Sequence, residues 1–176
     1  MRNRVWIRIW GAALCALSLE ARAQVYTTQT GTVVFEAEGF ATNTPRGAHA
    51  WVVTNAPPAT SGAVVQSLPD IGSNITTSIS STSPQLDYPI QFNASGTYFV
   101  WVRGYGTGGN DDSAHVGLNG AVGPGITLNG VSNVWVWTNG AQGGGTASIS
   151  APSAATHNFS VWMREDGFRI DRIALV

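Results

Sequence analysis

The 176-residue sequence contains little cysteine, no lysine and few charged residues of any kind. Its single cysteine, Cys15, lies in the first two dozen residues, so the rest of the chain cannot form a disulfide. Packing, hydrogen bonds or a metal must stabilise it instead. Charged residues make up 11% of the chain, and all the basic ones are arginine. Helical bundles and coiled coils depend on Ala, Leu, Glu and Lys, so this composition excludes both classes.

The first 23 residues have the three parts of a signal peptide. Three arginines begin the segment, an apolar run follows over Ile9–Leu19, and Ala21-Arg22-Ala23 forms a small-residue cleavage box. A run of about eleven apolar residues is too short to span a bilayer. We therefore expect a protein without a membrane span, cleaved after Ala23 and secreted to the extracellular space or the periplasm.

Basic residues are scarce in what remains after cleavage. Four of the nine arginines precede position 24, so the last 153 or so residues carry five arginines and nine acidic residues, a net charge of −4. Nucleic-acid binding needs a basic surface, and this balance argues against it.

Short β-branched and aromatic runs recur along the chain, separated by Gly, Pro, Asn and Ser. This pattern predicts strands rather than helices. The predicted strands are Thr32–Glu38, His49–Thr54, Ala63–Ser67, Gln85–Phe92, Gly96–Tyr105, Ser113–Leu118, Asn133–Thr138, Thr146–Ser150, His157–Glu165 and Arg169–Val176. Ten short strands predict an all-β fold, a two-sheet antiparallel β-sandwich of the jelly-roll type, with essentially no regular helix. We expect one such domain over 32–176, preceded by a short segment, 24–31.

Three carboxylates form the first candidate site. On a strand, Glu36 and Glu38 point to the same face, where two like charges repel unless a cation or water lies between them. Asp171 shares a face with Ile173 and Leu175, and a charge on such an apolar face needs a partner. Three carboxylates with backbone carbonyls would suit calcium, while a solvated strand face is the alternative explanation for the two glutamates.

Tryptophan is abundant, with five residues beyond the leader. Trp101 and Trp162 lie in the middle of predicted strands and are expected in the core. Trp51, Trp135 and Trp137 lie near loops, where an indole can stack on the apolar face of a sugar ring. Packing at the ends of the sandwich explains the same positions equally well.

A third cluster, Gly108-Gly109-Asn110-Asp111-Asp112, is followed by His115. Adjacent acids near a histidine are compatible with acid–base catalysis. Gly-rich Asn/Asp segments, however, are common in turns, and Asp111 and Asp112 point in opposite directions on extended backbone. We interpret the cluster as a turn.

Three motifs occur in this order along the chain: Phe35-Glu36-Ala37-Glu38, then Gly96-Thr97-Tyr98-Phe99-Val100-Trp101-Val102-Arg103, then Phe168-Arg169-Ile170-Asp171-Arg172-Ile173. Together with the segment Asp112–Gly120, they resemble the galactose-binding-like jelly-roll carbohydrate-binding modules of families six and thirty-five. The resemblance extends over roughly Thr32–Val176.

The resemblance implies specific site residues. Glu36, Glu38 and Asp171 correspond to the ligands of the family's structural calcium. Trp51, Trp135 and Arg169 correspond by position to the sugar cleft at the loop end, and we expect Trp137 to support them. Asn is common where this chain has Arg169, and an arginine there would favour acidic or differently shaped sugars.

These features predict a secreted, non-catalytic carbohydrate-binding module. It would be a calcium-stabilised monomer that docks on a polysaccharide or oligosaccharide by aromatic stacking. The alternative is a cell-surface or extracellular structural or interaction protein that keeps the jelly roll without a sugar site. A small hydrolase or lyase is the weakest hypothesis, because no nucleophile–base pair or known catalytic motif is visible.

Overall fold

The computed structural model describes residues 24–55 and 62–176. In chain order the elements are β1 (Tyr26–Thr27), β2 (Val33–Glu36), β3 (Thr42–Thr44), β4 (Ala50–Asn55), β5 (Ala63–Leu68), α1 (Ile79–Thr82), β6 (Gln85–Gln91), β7 (Gly96–Tyr105), β8 (Ser113–Leu118), β9 (Ala121–Thr127), β10 (Val136–Thr138), β11 (Ser148–Ala151), β12 (Thr156–Met163) and β13 (Arg169–Leu175). The predicted all-β sandwich is confirmed, and the single helical turn α1 is its one departure among the described residues.

Two sheets pack face to face. The first has the order β1-β6-β12-β8-β9, with β3 also beside β6, and the second has the order β10-β7-β13-β5-β4. In the second sheet, β11 also pairs with β7, and β2 pairs with β13. All pairings are antiparallel except that of β1 with β6. The central position of β7 and β13 places their ends at the middle of the second sheet.

The core follows from residue alternation along these strands. In β7, Tyr98, Val100 and Val102 are buried, while the residues between them face outward. An aromatic stack links the sheets, because the ring of Phe35 lies 4.6 Å from that of Tyr26 and 5.0 Å from that of Tyr88. Burying such large rings supplies much of the driving force for folding a chain without disulfides.

Strand β13 carries an irregularity that affects the predicted metal ligands. Its register with β7 shifts between Ile170 and Arg172, so Ile170 and Asp171 are both fully buried although they are adjacent. A bulge of this kind redirects a side chain and interrupts the simple alternation of faces. The orientation of Asp171 could therefore not be obtained from strand periodicity.

Three strands were missed, and the N-terminal boundary of the domain was placed too late. The short strands β1 and β3 have two and three residues, too few for an alternation pattern. Strand β9 contains Pro124 between two glycines, which resembles a loop in sequence, but β9 lies at a sheet edge, where proline is tolerated. The sandwich begins at Tyr26 rather than Thr32, because β1 pairs with β6 and Tyr26 stacks on Phe35.

The predicted signal peptide, 1–23, with Cys15, lies outside the described residues. Over 24–55 and 62–176, the structure contains no helix with the length and apolar character needed to cross a bilayer.

Candidate functional site

Three strand ends meet at one end of the sandwich. Tyr105 is the last residue of β7 and pairs with Arg169, the first residue of β13. Trp135 lies one residue before β10, whose first residue pairs with Gly104 of β7. Side chains from three strands therefore converge where each strand joins a loop.

The convergent side chains form alternating cation–π and ring contacts. The rings of Tyr105 and Trp135 have centroids 5.3 Å apart and planes tilted by 47°. The Arg169 Cζ atom lies 5.2 Å from the Tyr105 ring, and the Arg103 Cζ atom lies 5.2 Å from the Trp135 ring. At these distances a guanidinium is attracted to the ring face. We call Arg103, Tyr105, Trp135 and Arg169 the aromatic–arginine cluster.

Arg169 differs from the other arginines of the domain. Arg103 pairs with Asp171, Arg164 with Glu165 and Arg172 with Glu36, and Arg46 donates to the carbonyl of Ser83 and to Gln85. Within the described part of the chain, the Arg169 side chain has neither a hydrogen bond nor an ion pair. Its planar set of donors, held against Tyr105, is therefore available for a ligand.

Trp51 does not belong to this cluster, and its prediction as a stacking residue is wrong. Its side chain is 2% exposed and packs in the core, with the indole N–H donating to the carbonyl of Pro84 at 3.2 Å. Alternation along β4 explains the error, because Trp51 faces inward and Val52 faces solvent. A ring buried in this way cannot present its face to a sugar.

Trp137 lies beside the cluster rather than within it. It pairs with Arg103 across β10 and β7, on the outward face of the second sheet, and 43% of it is exposed. Of the four residues predicted for the cleft, the structure thus brings Trp135 and Arg169 together, places Trp137 next to them and buries Trp51.

The predicted metal ligands meet arginines. Glu36 forms an ion pair with Arg172, its partner across β2 and β13, and the buried Asp171 pairs with Arg103. The hydrogen bond that Arg172 donates to Glu36 is the largest influence that raises the pKa of Arg172, and the charges of Glu36, Asp171 and Glu38 add to it. The charges of three carboxylates therefore act on the Arg172 guanidinium, which is in contact with that of Glu36.

This arrangement meets some of the requirements of a calcium ion. The donor chemistry fits, because the carboxylates are hard oxygen ligands and Glu36 Oε2 is buried without a hydrogen-bond partner. In the described ranges, however, no three Asp, Glu, His or Cys side chains are grouped so that they could hold a metal while the arginines are paired with the carboxylates. One cause is that β2 ends at Glu36, so Glu38 lies in a turn and does not continue the strand face. Calcium binding stays a prediction that requires the ion pairs to open.

Residues 25–176 match the family model of the glycosyl hydrolase family 115 C-terminal domain. The chain belongs to this family. Uncharacterized protein P23 of Formosa agariphila is 36% identical over 100 residues, which cover 51% of this chain and 24% of that protein. The chain thus spans about a quarter of the length of this relative.

Solved structures with the same fold include carbohydrate-binding modules. The GH26-CBM35 β-(1,4)-mannanase of Podospora anserina superposes with a TM-score of 0.59 at 16% identity, covering 84% of this chain and 28% of that one. The C-terminal CBM6 of LamC, from Zobellia galactanivorans, gives 0.55 at 19% identity, covering 82% and 98%. At these identities the likeness shows the fold, and it confirms the resemblance to families six and thirty-five.

Tyr105 and Arg103 were not predicted as site residues of this family 115 C-terminal domain. Both lie on the outward face of β7 together with Trp101, at a spacing of two residues. Trp101 is only partly buried there, whereas it was predicted in the core. A period of two, continued to the last residue before the glycine-rich loop, was the available signal. Trp162 is fully buried, as predicted.

A buried histidine–aspartate pair braces the same end of the domain. His49 Nε2 lies 3.2 Å from Asp166 Oδ2, and this carboxylate also accepts the backbone N–H groups of Ile71 and Gly72 at 2.8 and 3.2 Å. Burial raises the pKa of Asp166, but backbone N–H donors from Ile71 and Ser73, together with His49, lower it further, so the net pKa is lowered. The pair therefore joins the turn before β4, the segment after β5 and the turn before β13.

One open cavity of about 260 Å³ lies away from the cluster, between the β8–β9 hairpin and β11. Its lining consists of small and apolar residues: Gly117, Leu118, Ala121, Val122, Gly123, Ser148, Ile149 and Ser150. No charged or aromatic side chain lines it, and its polar side chains are those of Ser148 and Ser150.

Proposed function

We propose that this domain is a non-catalytic carbohydrate-binding module that docks on a polysaccharide through its loop end. The observation that carries the proposal is the convergence of Tyr105, Trp135 and the otherwise uncommitted Arg169 at three strand ends. The fold adds support, because similar solved domains include a family 6 module from Clostridium cellulolyticum in complex with xylose, with a TM-score of 0.51 at 12% identity.

Each member of the cluster would have a distinct part in binding. The rings of Tyr105 and Trp135 would stack on the apolar faces of sugar units. Stacking on an aromatic side chain contributes roughly 1–3 kcal/mol in the related case of nucleic-acid bases. The planar guanidinium of Arg169 would donate two hydrogen bonds to sugar hydroxyls or to a uronate carboxylate. Because Arg169 begins β13, which pairs with β7 and β5, its backbone is held rigidly.

Four buried acidic residues at this end support binding rather than hydrolysis. Asp111, Asp112, Glu165 and Asp166 are all nearly or fully buried. Each accepts hydrogen bonds from backbone or side-chain donors of the protein itself. A glycosidase needs two carboxyl groups that face the glycosidic bond across a groove. Carboxylates committed to holding loops are poorly suited to that reaction.

An affinity-gel panel tests the proposal. Wild type would be run on neutral polysaccharides, such as xylan, β-mannan and laminarin, and on acidic polygalacturonate. We expect retention on at least one gel and weaker retention for Tyr105→Ala, Trp135→Ala and Arg169→Ala, by about 1–3 kcal/mol for each aromatic. Arg169→Lys would distinguish the planar fork from simple charge.

Phe99→Ala is the matched control for this panel. Phe99 is an exposed aromatic on the same strand, six residues from Tyr105 and outside the cluster, so its removal should leave retention unchanged. Circular dichroism would first establish that every variant is folded. Retention of all three cluster variants at the wild-type level, on a gel that retains wild type, would contradict the assignment.

A second candidate function, an extracellular interaction protein, is favoured by one observation. Val34, Phe99 and Val176 on the second sheet are each about half exposed and form apolar surface. Contiguous apolar patches often mark protein-interaction sites. Absence of wild-type retention on every gel, with self-association in analytical ultracentrifugation, would favour this candidate and would also contradict the expected monomer.

Secretion and calcium binding complete the proposal. The leader-like segment 1–23 supports export through a cleaved signal peptide. The carboxylates Glu36, Glu38 and Asp171, with a buried Glu36 oxygen that lacks a hydrogen bond, support a structural calcium. Binding would require Arg172 and Arg103 to move from these carboxylates.

A further inference from the structure

Two consecutive carboxylates lie behind the aromatic–arginine cluster. Asp111 and Asp112 are each 6% exposed and occupy the loop between β7 and β8. Their side chains bind different segments, and each of these segments is continuous with one aromatic residue of the cluster.

Asp111 closes the loop that follows Tyr105. Its Oδ2 atom accepts the backbone N–H of Thr107 at 2.6 Å, and its Oδ1 atom accepts the backbone N–H of Gly108 at 2.6 Å. The Thr107 hydroxyl also donates to Oδ2. A Cβ atom at Gly106 would lie 2.6 Å from the Asp111 carbonyl oxygen, so the loop is closed too tightly for any larger residue there.

Asp112 holds the segment that leads to Trp135. Its Oδ2 atom accepts the backbone N–H of Gly130 at 3.1 Å, and its Oδ1 atom accepts the Thr127 hydroxyl at 3.2 Å. Its backbone carbonyl accepts the N–H of Leu128 at 2.9 Å. Both ends of this turn are therefore fixed to one residue.

The two loops are also joined to each other. The backbone N–H of Asn133 donates to the carbonyl of Gly106 at 2.8 Å, and the Tyr105 hydroxyl donates to Asn133 Oδ1 at 3.4 Å. The separation of the Tyr105 and Trp135 rings therefore depends on both aspartates, although neither contacts a ring.

We propose that Asp111 and Asp112 are positioning residues that hold Tyr105 and Trp135 at the spacing required for ligand stacking. This inference rests on the proposed function. Fixing loops before binding removes the entropic cost of ordering them on the ligand, which increases affinity without adding a contact.

The chemistry of the two carboxylates predicts opposite responses to asparagine. Both oxygens of Asp111 accept backbone N–H groups. In Asp111→Asn, the side-chain NH₂ group would face one of these N–H groups and could not accept a hydrogen bond from it. Asp112 needs one acceptor for Gly130, and an amide at the other position can donate to the Thr127 oxygen. Asparagine should therefore substitute for Asp112 and not for Asp111.

Binding would be measured by isothermal titration with soluble xylan and polygalacturonate as probes. We expect Asp112→Ala and Asp111→Asn to bind about tenfold more weakly, the scale of one lost charge-assisted hydrogen bond, and Asp112→Asn to bind within about twofold of wild type. In a Trp135→Phe background, Asp112→Ala should weaken binding by a smaller factor than it does in wild type, because Asp112 acts through the indole. An equal factor in both backgrounds overturns the inference. Where Asp112→Ala does not fold, Thr127→Val removes the hydroxyl that donates to Asp112 and accepts the N–H of Asn129, and leaves the bond from Gly130 to Asp112 in place.

Hydrogen exchange of the free protein separates this inference from the proposed function. Asp112→Ala should accelerate amide exchange over 128–135, and Asp112→Asn should not. If wild type is retained on none of the four gels while exchange changes as expected, the proposed function fails, whereas the role of Asp112 in holding the 128–135 segment stands. Unchanged exchange over 128–135 in Asp112→Ala, or equal behaviour of Asn at both positions, would overturn the inference.

Discussion

Replacing Trp51 by alanine should destabilise the domain without weakening ligand binding. Trp51 is 2% exposed, and large-to-small changes of buried Trp cost about 3–5 kcal/mol. The same change removes the indole N–H that donates to the Pro84 carbonyl, a hydrogen bond with a net contribution of about 0.5–1.5 kcal/mol, since this carbonyl still accepts the N–H of Met163. These contributions overlap, so we expect a total of about 4–5 kcal/mol, a large fraction of the 5–15 kcal/mol typical of a native domain.

Urea unfolding measures this loss directly. With a slope near 2 kcal/mol per molar, a loss of about 4 kcal/mol lowers the midpoint by about 2 M. Trp137→Ala is the matched control, because Trp137 is 43% exposed and its removal should lower the midpoint only slightly. Where Trp51→Ala does not fold, Trp51→Phe retains most of the ring volume. A Trp51 variant that unfolds at the wild-type midpoint but loses polysaccharide binding would refute the burial argument.

Two further predictions concern ionisable groups. Because the pKa of Asp166 is lowered on folding, its contribution to stability is present above its unfolded pKa of about 3.9 and is lost as pH falls through the lower folded value. Asp166→Asn should therefore be less stable than wild type at pH 7 in urea melts. On acidification its free energy of unfolding should fall by less than that of wild type, and equal losses would contradict this. Calcium at about 100 times Kd should add about 2.7 kcal/mol to the stability and so raise the melting temperature above that in chelator. The rise should be smaller for Glu36→Gln. Identical melting in calcium and chelator would argue against the site, with magnesium as the control ion.

The sequence was most informative where regular alternation continues along a strand. The bounds predicted for Gly96–Tyr105 and Ser113–Leu118 agree with β7 and β8. Buried and more exposed residues alternate along β7, whereas all six residues of β8 are buried and the turn residues on either side mark its bounds. Strand β9 was missed because Pro124 is normally a strand breaker, and only its place at a sheet edge permits it.

The candidate site was less predictable, because it depends on which face each residue occupies. Trp51 and Trp135 both lie near loops in sequence. Trp51, however, packs inward from β4, whereas Trp135 precedes β10 and packs against Tyr105. The bulge at Asp171 and the end of β2 at Glu36 changed the expected carboxylate cluster in the same way. Long-range pairing determines these outcomes, and local periodicity carries no information about it.

The pairing of β2 with β13 has a consequence for how the domain can be tethered. Val33 at the start of β2 pairs with Leu175 at the end of β13, while Arg169 begins β13 beside Tyr105. Six residue steps at about 3.3 Å each separate Leu175 from Arg169 by about 20 Å. A linker that follows the end of β13 would thus leave from the pole opposite the cluster. A neighbouring module or an immobilising support could be attached there without shading the rings, which allows multivalent display on one long polymer.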